Sequence, residues 1–229
     1  MLVGVDSAAT ARGLLSRLSP TAATALADRG VRRRLPAGSV VFHEGDPSDR
    51  FVVLLKGRIK ASSWSLDGRE VLLNLQGPGE AVGLPGAVDE GRRTSSVTAI
   101  EPIEFFSVTS TQLREFLTEY PESAIPFMEE LCDLFRRSNR KQLDFGTLGA
   151  LGRVARQLAA LADDFGEPAA TGGTDIALPL THQDLAAWVG TSREAVGKAM
   201  QQLERMELVT TRRRHVTVLD VAVLRTIGE

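Results

Sequence analysis

The chain has 229 residues, a net charge of −2, and 43% hydrophobic against 24% charged residues, proportions of one large or two modest globular domains and not of a disordered or fibrous protein. Its single cysteine, Cys132, excludes a disulfide framework and any zinc or iron–sulfur site built from several thiolates. No apolar run approaches the ~20 residues of a membrane span, and MLVGVDSAAT lacks a signal peptide's basic start and apolar stretch, so a cytoplasmic chain with no membrane partner is expected.

Ser19 to Arg29 opens on Ser-Pro and continues Ala/Leu-rich, which predicts a helix packed on one end of a strand-rich domain. Arg32-Arg33-Arg34 reads as a solvated tract without a partner. From Ser39 to Val108 the runs SVVFHE, FVVLLK, GRIKASSW, REVLLNLQ, TSSVTAI and IEFFSV are β-branched or alternating. Gly45-Asp46-Pro47, Lys56-Gly57, Asp67-Gly68 and Gly77-Pro78-Gly79 punctuate them. Short strands at this spacing predict a sandwich or small barrel. From Thr111 the period lengthens. Ala124, Met128, Leu131, Phe135, Ser138, Gln142 and Phe145 alternate by four and three, the seam of a heptad helix with Pro121 at its first turn. So short a seam is marginal for a free coiled coil, and the helix is expected to pair with its own copy while leaning on the barrel. Its polar seam positions, Ser138 and Gln142, either set register or face a ligand.

Leu151 to Phe165 predicts a further helix and GEPAATGGT a loop. Leu180 to Val209 gives two helical patterns broken at Gly190-Thr191-Ser192. Thr181 with Asp184 and Thr191 with Glu194 stand at capping-box spacing, and Ser192 is a further candidate cap. LVTT and HVTVL, on either side of Arg212-Arg213-Arg214, read as a small hairpin with a basic turn. Ala186, Gly190 and Val196 meet the demands of a helix-turn-helix: a small residue for close approach, a glycine for positive φ, and an apolar residue reaching the shared core. In SREAVGKAMQQLERM, Ala195, Ala199, Leu203 and Met206 are read as inward. Arg193, Glu194, Gly197 and Lys198 are read as outward, near the end that a recognition helix inserts into the major groove. Arg and Lys donate to guanine O6 and N7, and Glu accepts from cytosine N4. Between Leu180 and His215 the basic residues exceed the acidic by two in an otherwise acidic chain, and the arginine turn either sits against phosphates or is simply exposed.

The order of N-terminal helix, barrel, long helix and helix-turn-helix, with VGTSREAVGKAMQQLERMELV at one end and FHEGDPSDRFVVLLKGRIKA, DGREVLLNLQGPGE and GRRTSSVTA at the other, resembles the cyclic-AMP receptor protein/FNR family of transcription regulators over nearly the whole chain. The resemblance implies an α+β fold. Residues 1–120 would be a cyclic-nucleotide-binding-type β-barrel (jelly roll) with its N-terminal helix, 121–146 a dimerisation helix, and 147–229 a winged helix-turn-helix. It implies a homodimer on double-stranded DNA carrying a palindromic TGTGA-type site, with RNA polymerase as a further partner. Arg193, Glu194 and Lys198 would read bases, and Thr181, Gln183, Ser192, Arg212 and Arg213 would contact the DNA beside them. Lys198 stands where many members have Arg and lacks its planar fork.

For the effector, the resemblance implies Arg93, Thr94 and backbone amides around Gly83 on a cyclic phosphate, and Ser138 and Asn139 on the base. Leu84 stands where nucleotide binders have the Glu that accepts the ribose hydroxyl. Leu accepts no bond, and a buried hydroxyl left alone costs ~1–3 kcal/mol; a Glu at 84 would restore the acceptor. Three readings of the slot stand: cyclic AMP, another small anionic or nucleotide effector, and no effector. FNR-type iron–sulfur sensing is excluded by the lone Cys132. His43, His182 and His215 fall in a strand, a helix and the terminal hairpin and form no haem set. No G-x-S-x-G, H-E-x-x-H or P-loop is present, so no enzyme is expected. The alternative keeps the barrel as a ligand- or protein-binding module whose C-terminal helices serve protein interaction.

Overall fold

The computed structural model describes residues 13–170, 172–176, 178, 181–212 and 215–227. They fall into two units, one ending at Arg137 and the other beginning at Ser138.

The first unit starts with α1 (Gly13–Arg17) and α2 (Pro20–Arg29). Ser19 caps α2 by accepting from the Ala22 N–H, and Pro20 occupies the first helical position, where no intrahelical N–H is missed. Then come β1 (Val31–Leu35), β2 (Val40–Phe42), β3 (Arg50–Lys56), β4 (Ile59–Trp64), β5 (Glu70–Gln76), β6 (Ala81–Val82), α3 (Leu84–Asp89), β7 (Ser96–Ala99) and β8 (Ile103–Thr109). The strands form two antiparallel four-stranded sheets, ordered β1-β8-β3-β6 and β2-β7-β4-β5.

Strand β3 shows how the barrel is built. It is buried without a break from Phe51 to Leu55. Val52 and Leu54 join Phe42, Ile59, Val97 and Phe105 in the cluster between the sheets. Phe51, Val53 and Leu55 face the other way and pack with Leu26, Leu113, Phe116 and Phe127 from the helices. Successive strand residues point to opposite faces; with both faces covered, the sequence is a continuous apolar run and not an alternation.

The arginine tract is exposed, as expected, but it is itself strand β1 and is not without a partner. Val31 to Leu35 pair with Ser107 to Ile103 of β8, and Arg34 Nε meets Glu104 Oε2 at 3.1 Å. The strand is at a sheet edge, where charged side chains discourage further pairing; its exposed positions leave no apolar period to read.

Helix α4 (Ser110–Glu119) carries a Thr109–Gln112 capping box, and a 3₁₀ turn, Pro121–Ser123, leads into α5 (Ala124–Thr147). On α5, Phe127 is buried, whereas Met128, Phe135, Leu143 and Phe145 are exposed. The second unit continues with α6 (Ala150–Phe165), β9 (Gly166–Pro168), β10 (Thr174–Ile176), α7 (His182–Val189), α8 (Arg193–Arg205), β11 (Val209–Arg212), β12 (His215–Val218) and α9 (Val221–Thr226). The expected hairpin is present as β11–β12, but it belongs to a four-stranded sheet, β11-β12-β10-β9. The stretch expected to be a loop therefore supplies β9 and the start of β10. Three-residue strands around Gly and Pro carry no period-two signal. Among the described residues no helix is long and apolar enough to cross a membrane.

Candidate nucleic-acid interface and effector slot

Thr181 begins α7 with a reciprocal cap: its hydroxyl accepts from the Asp184 N–H at 3.1 Å, and its own N–H donates to Asp184 Oδ2 at 2.9 Å. Gly190 ends the helix at φ 61°, and the N–H groups of Gly190 and Thr191 both return to the Ala186 carbonyl. A side chain at 190 would meet Phe145 Cε1 at 2.6 Å. Arg153 of α6 braces the same turn, donating from Nη2 to the Gly190 carbonyl at 3.3 Å with its guanidinium 5.6 Å from the Phe145 ring. Thus a tight, left-handed corner delivers α8 at a fixed angle to α7.

Ser192 caps α8, accepting from the Ala195 N–H at 3.1 Å. The buried stripe of α8 is Val196, Ala199, Met200 and Leu203. Of the inward set expected from the sequence, Ala199 and Leu203 are buried, whereas Ala195 is only half-buried and Met206 is 46% exposed. Repeated four-residue steps rotate off a face, whereas three-and-four steps keep to it. The outward set holds. Arg193, Glu194 and Lys198 are exposed, and a side chain on Gly197 between them would find only His182 Nδ1, at 4.0 Å. Hydrogen bonds from its own N–H and from Ser192, with Arg193 nearby, hold the Glu194 carboxyl below the usual carboxylate range, which keeps it an acceptor. Thr181, Gln183 and Arg212 are also exposed; Arg213 lies outside the described residues.

In the barrel, Arg93 is only 7% exposed. Its Nη2 donates to the Arg50 carbonyl at 2.7 Å and its Nη1 to the Gly83 carbonyl at 3.2 Å, and the guanidinium lies 3.6 Å from the centre of the Phe42 ring. Its backbone is pinned to the Gly45–Asp46 turn on both sides. No carboxylate among the described residues forms an ion pair with it; Asp49 is paired with Arg50 at 2.8 Å. Burial pushes the guanidinium's pKa down, with Asp49 and Asp46 opposing from a distance and Arg50 adding to the fall. Gly83 is at φ 77°, and a side chain there would lie 2.5 Å from Arg93 Nη1 and 2.9 Å from Phe42, so both its conformation and its bareness are required. Ser48 is 4% exposed, its hydroxyl has no hydrogen-bond partner, and it lies against Gly86.

Two domain families match the stretches of chain that hold these residues. The cyclic nucleotide-binding domain family matches residues 32–120, and the Crp-like helix-turn-helix domain family matches residues 152–227. The CRP-like cAMP-activated global transcriptional regulator of Mycobacterium tuberculosis is 32% identical over 216 residues, covering 94% of this chain and 96% of that protein. The chain belongs to the CRP/FNR family. The cAMP-activated global transcriptional regulator CRP of Haemophilus influenzae is 27% identical over 177 residues, 77% of this chain and 78% of that protein. The structure of the c-di-GMP responsive global regulator CLP of Xanthomonas campestris superimposes with a TM-score of 0.75 at 24% identity, over 88% of this chain and 100% of that one, and has the same fold. As a CRP/FNR regulator the chain is a DNA-binding transcription regulator and not an enzyme. The alternative of C-terminal helices devoted to protein interaction gains no support.

Within this CRP/FNR frame, the barrel brings Arg93 and Gly83 into contact. Thr94, next in the chain, is exposed. Leu84 is fully buried and packs in the apolar cluster beneath the helices, so a Glu at 84 would carry a carboxylate into that cluster unless the local chain re-aimed it. Ser138 and Asn139 are exposed on α5 and belong to the second unit. Phe42 and Ser48 were not singled out by sequence. Their roles depend on strand pairing and on contacts with α3, and no spacing rule encodes either.

Proposed function

We propose that this regulator works as a homodimer joined along α5, takes a small anionic effector at Arg93, with cyclic AMP the first candidate, and in response sets its two recognition helices on a palindromic TGTGA-type duplex. Arg93 carries the effector reading. A guanidinium removed from water, with two of its five N–H groups on neutral carbonyls and only distant help from Asp49 and Asp46, keeps both donors and charge for an anion. A phosphate supplies both the charge and strong acceptors. Thr94 and the amides around Gly83 would complete the cradle, and Ser138 and Asn139, from the same chain or the partner, would meet the base. The exposed apolar residues of α5, Met128, Phe135 and Phe145, support the dimer. In that dimer Arg193, Glu194 and Lys198 read base edges, Thr181, Gln183, Ser192, Arg212 and Arg213 hold the neighbouring backbone, and half-sites about 34 Å apart present adjacent major grooves. RNA polymerase is the next partner in this reading, and the cytoplasm the compartment.

Leu84 favours a second reading of the slot, a small anion other than a ribose-bearing nucleotide. With no acceptor at 84, cyclic AMP would forgo ~1–3 kcal/mol, about tenfold to a hundredfold in affinity. Calorimetric titration of the full chain with cyclic AMP, cyclic GMP, cyclic dinucleotides and inorganic phosphate, repeated on Arg93→Gln, tests both readings. Binding that vanishes with Arg93→Gln supports the slot, and the tightest ligand decides between the readings. Equal binding by both proteins, or salt-insensitive retention on the palindrome with and without ligand, would overturn the proposal.

A further inference from the structure

The wing carries a side-chain constellation unrelated to base reading. His215 opens β12 directly opposite Arg212, the last residue of β11, and Asp175 of β10 lies directly opposite Thr217 of β12. Directly opposed residues of an antiparallel pair share a face, as do residues two apart along a strand. Arg212, His215, Thr217 and Asp175 therefore share one face of the sheet. Asp175 uses both oxygens there: Oδ2 lies 3.0 Å from His215 Nδ1, and Oδ1 accepts from the Thr217 hydroxyl at 3.2 Å. Thr217 is buried, Asp175 is half-buried and His215 is exposed. Arg212 and His215 also line a cleft of about 200 Å³ together with Thr181 and His182 at the start of α7.

We propose that His215, positioned by Asp175, is a proton-gated phosphate contact of the wing: DNA backbone bound beside Arg212 draws a proton onto His215, and mildly acidic conditions tighten DNA binding. A neutral ring that donates Nδ1–H to Asp175 has a lone pair at Nε2 and nothing to offer a phosphate oxygen. The imidazolium donates from both nitrogens, one to Asp175 and the other to the phosphate. Imidazole is the side chain whose charge changes between pH 5 and 8. The groups facing it on its own side of the sheet are Asp175 on β10 and Arg212 on β11; His182 of α7 lines the cleft with Ile176 and Val216 of the other face, and Glu204 of α8 is bonded to Thr211. Arg212 opposes a second positive charge on the wing, and a phosphate seated between the two removes that opposition. Proton uptake and DNA binding therefore assist each other, and the effect is reciprocal.

The test uses the full chain and a short duplex of arbitrary sequence, so that it does not depend on the operator, with fluorescence anisotropy over a series of KCl concentrations at about pH 6 and about pH 8. One added phosphate contact per protomer steepens the slope of log K against log salt by about 0.9 for each protomer bound, about 1.8 for a dimer, on the acidic side. His215→Gln should show the shallow slope at both pH values, His215→Arg the steep slope at both, and Asp175→Asn should lose most of the acidic gain. A wild-type slope unchanged by pH would overturn the proposal. So would an acidic gain that survives His215→Gln or disappears only with His182→Gln, or an Arg at 215 that leaves the slope shallow. Because His215→Arg is read as a gain, misfolding cannot imitate the expected result.

Discussion

Gly190→Ala isolates the corner on which the DNA-binding face depends. The corner residue sits at φ 61°, ψ 51°, and an L-residue in this left-handed region costs roughly 1–2 kcal/mol. The new methyl would lie 2.6 Å from Phe145 Cε1 and 3.2 Å from Cζ, so the ring must turn off its rotamer at about 0.5–1.5 kcal/mol. The sum is about 1.5–3.5 kcal/mol, which for a unit of this size lowers the midpoint by roughly 6–28 °C. Trp188, buried two residues before the corner, reports on this unit; Trp64, exposed in the other, is replaced by Phe to leave one signal. Thermal unfolding followed by Trp188 fluorescence should show the predicted fall. The same substitution in a Phe145→Ala background should recover the ring's share and leave the backbone share, as a double-mutant cycle separates them. A loss below about 0.5 kcal/mol, or an identical loss in both backgrounds, would refute the division of cost and the role given to Phe145.

Arg193→Ala should cost ~1–3 kcal/mol of discrimination between operator and unrelated duplex, with dimerisation little changed; competition footprinting checks it, and an unchanged footprint would count against α8 as the reading helix. Phe135 is 67% exposed on α5, and Phe135→Asp should weaken the dimer at least tenfold, since burying such a ring is worth about 1.5–3 kcal/mol; sedimentation at a range of concentrations would show it, and an undisturbed dimer would move the interface elsewhere. Glu130 is 3% exposed, and burial first, then Glu80, raise its pKa against the pull of Arg17 and Arg137. A carboxyl raised on folding stabilises the fold below its unfolded pKa, and that contribution fades as pH climbs through the folded value. Glu130→Gln, neutral throughout, should raise the melting temperature more near pH 7 than near pH 4, and an equal shift at both would contradict the assignment.

The sequence exposed most plainly what depends on local chemistry. Thr181, Gly190 and Ser192 announce the helix-turn-helix because caps and a left-handed corner act within a few residues. The barrel was legible from its strand runs and turns. Strand β1 was hidden because an edge strand of arginines has no apolar face, and β9 because three residues are too few for a period. The phase of α8 slipped at Ala195 because Val196, Met200 and Ala195 are all apolar or small, and only packing decides among them. Arg93 and Gly83 could be named in advance, while the aromatic wall at Phe42 and the orphaned hydroxyl of Ser48 emerge only when distant segments close around them.

A cation buried in the barrel without an ion-pair partner among the described residues has a practical outcome. Under the proposed effector reading, any small anion that fits beside Arg93 would raise the protein's heat resistance, and sulfate or phosphate in a buffer would already do so in part. Attraction alone therefore cannot tell one signalling molecule from another. In that reading selectivity would fall to the neutral surroundings, to the flat ring of Phe42 and the bare backbone of Gly83, where shape can reject what charge admits.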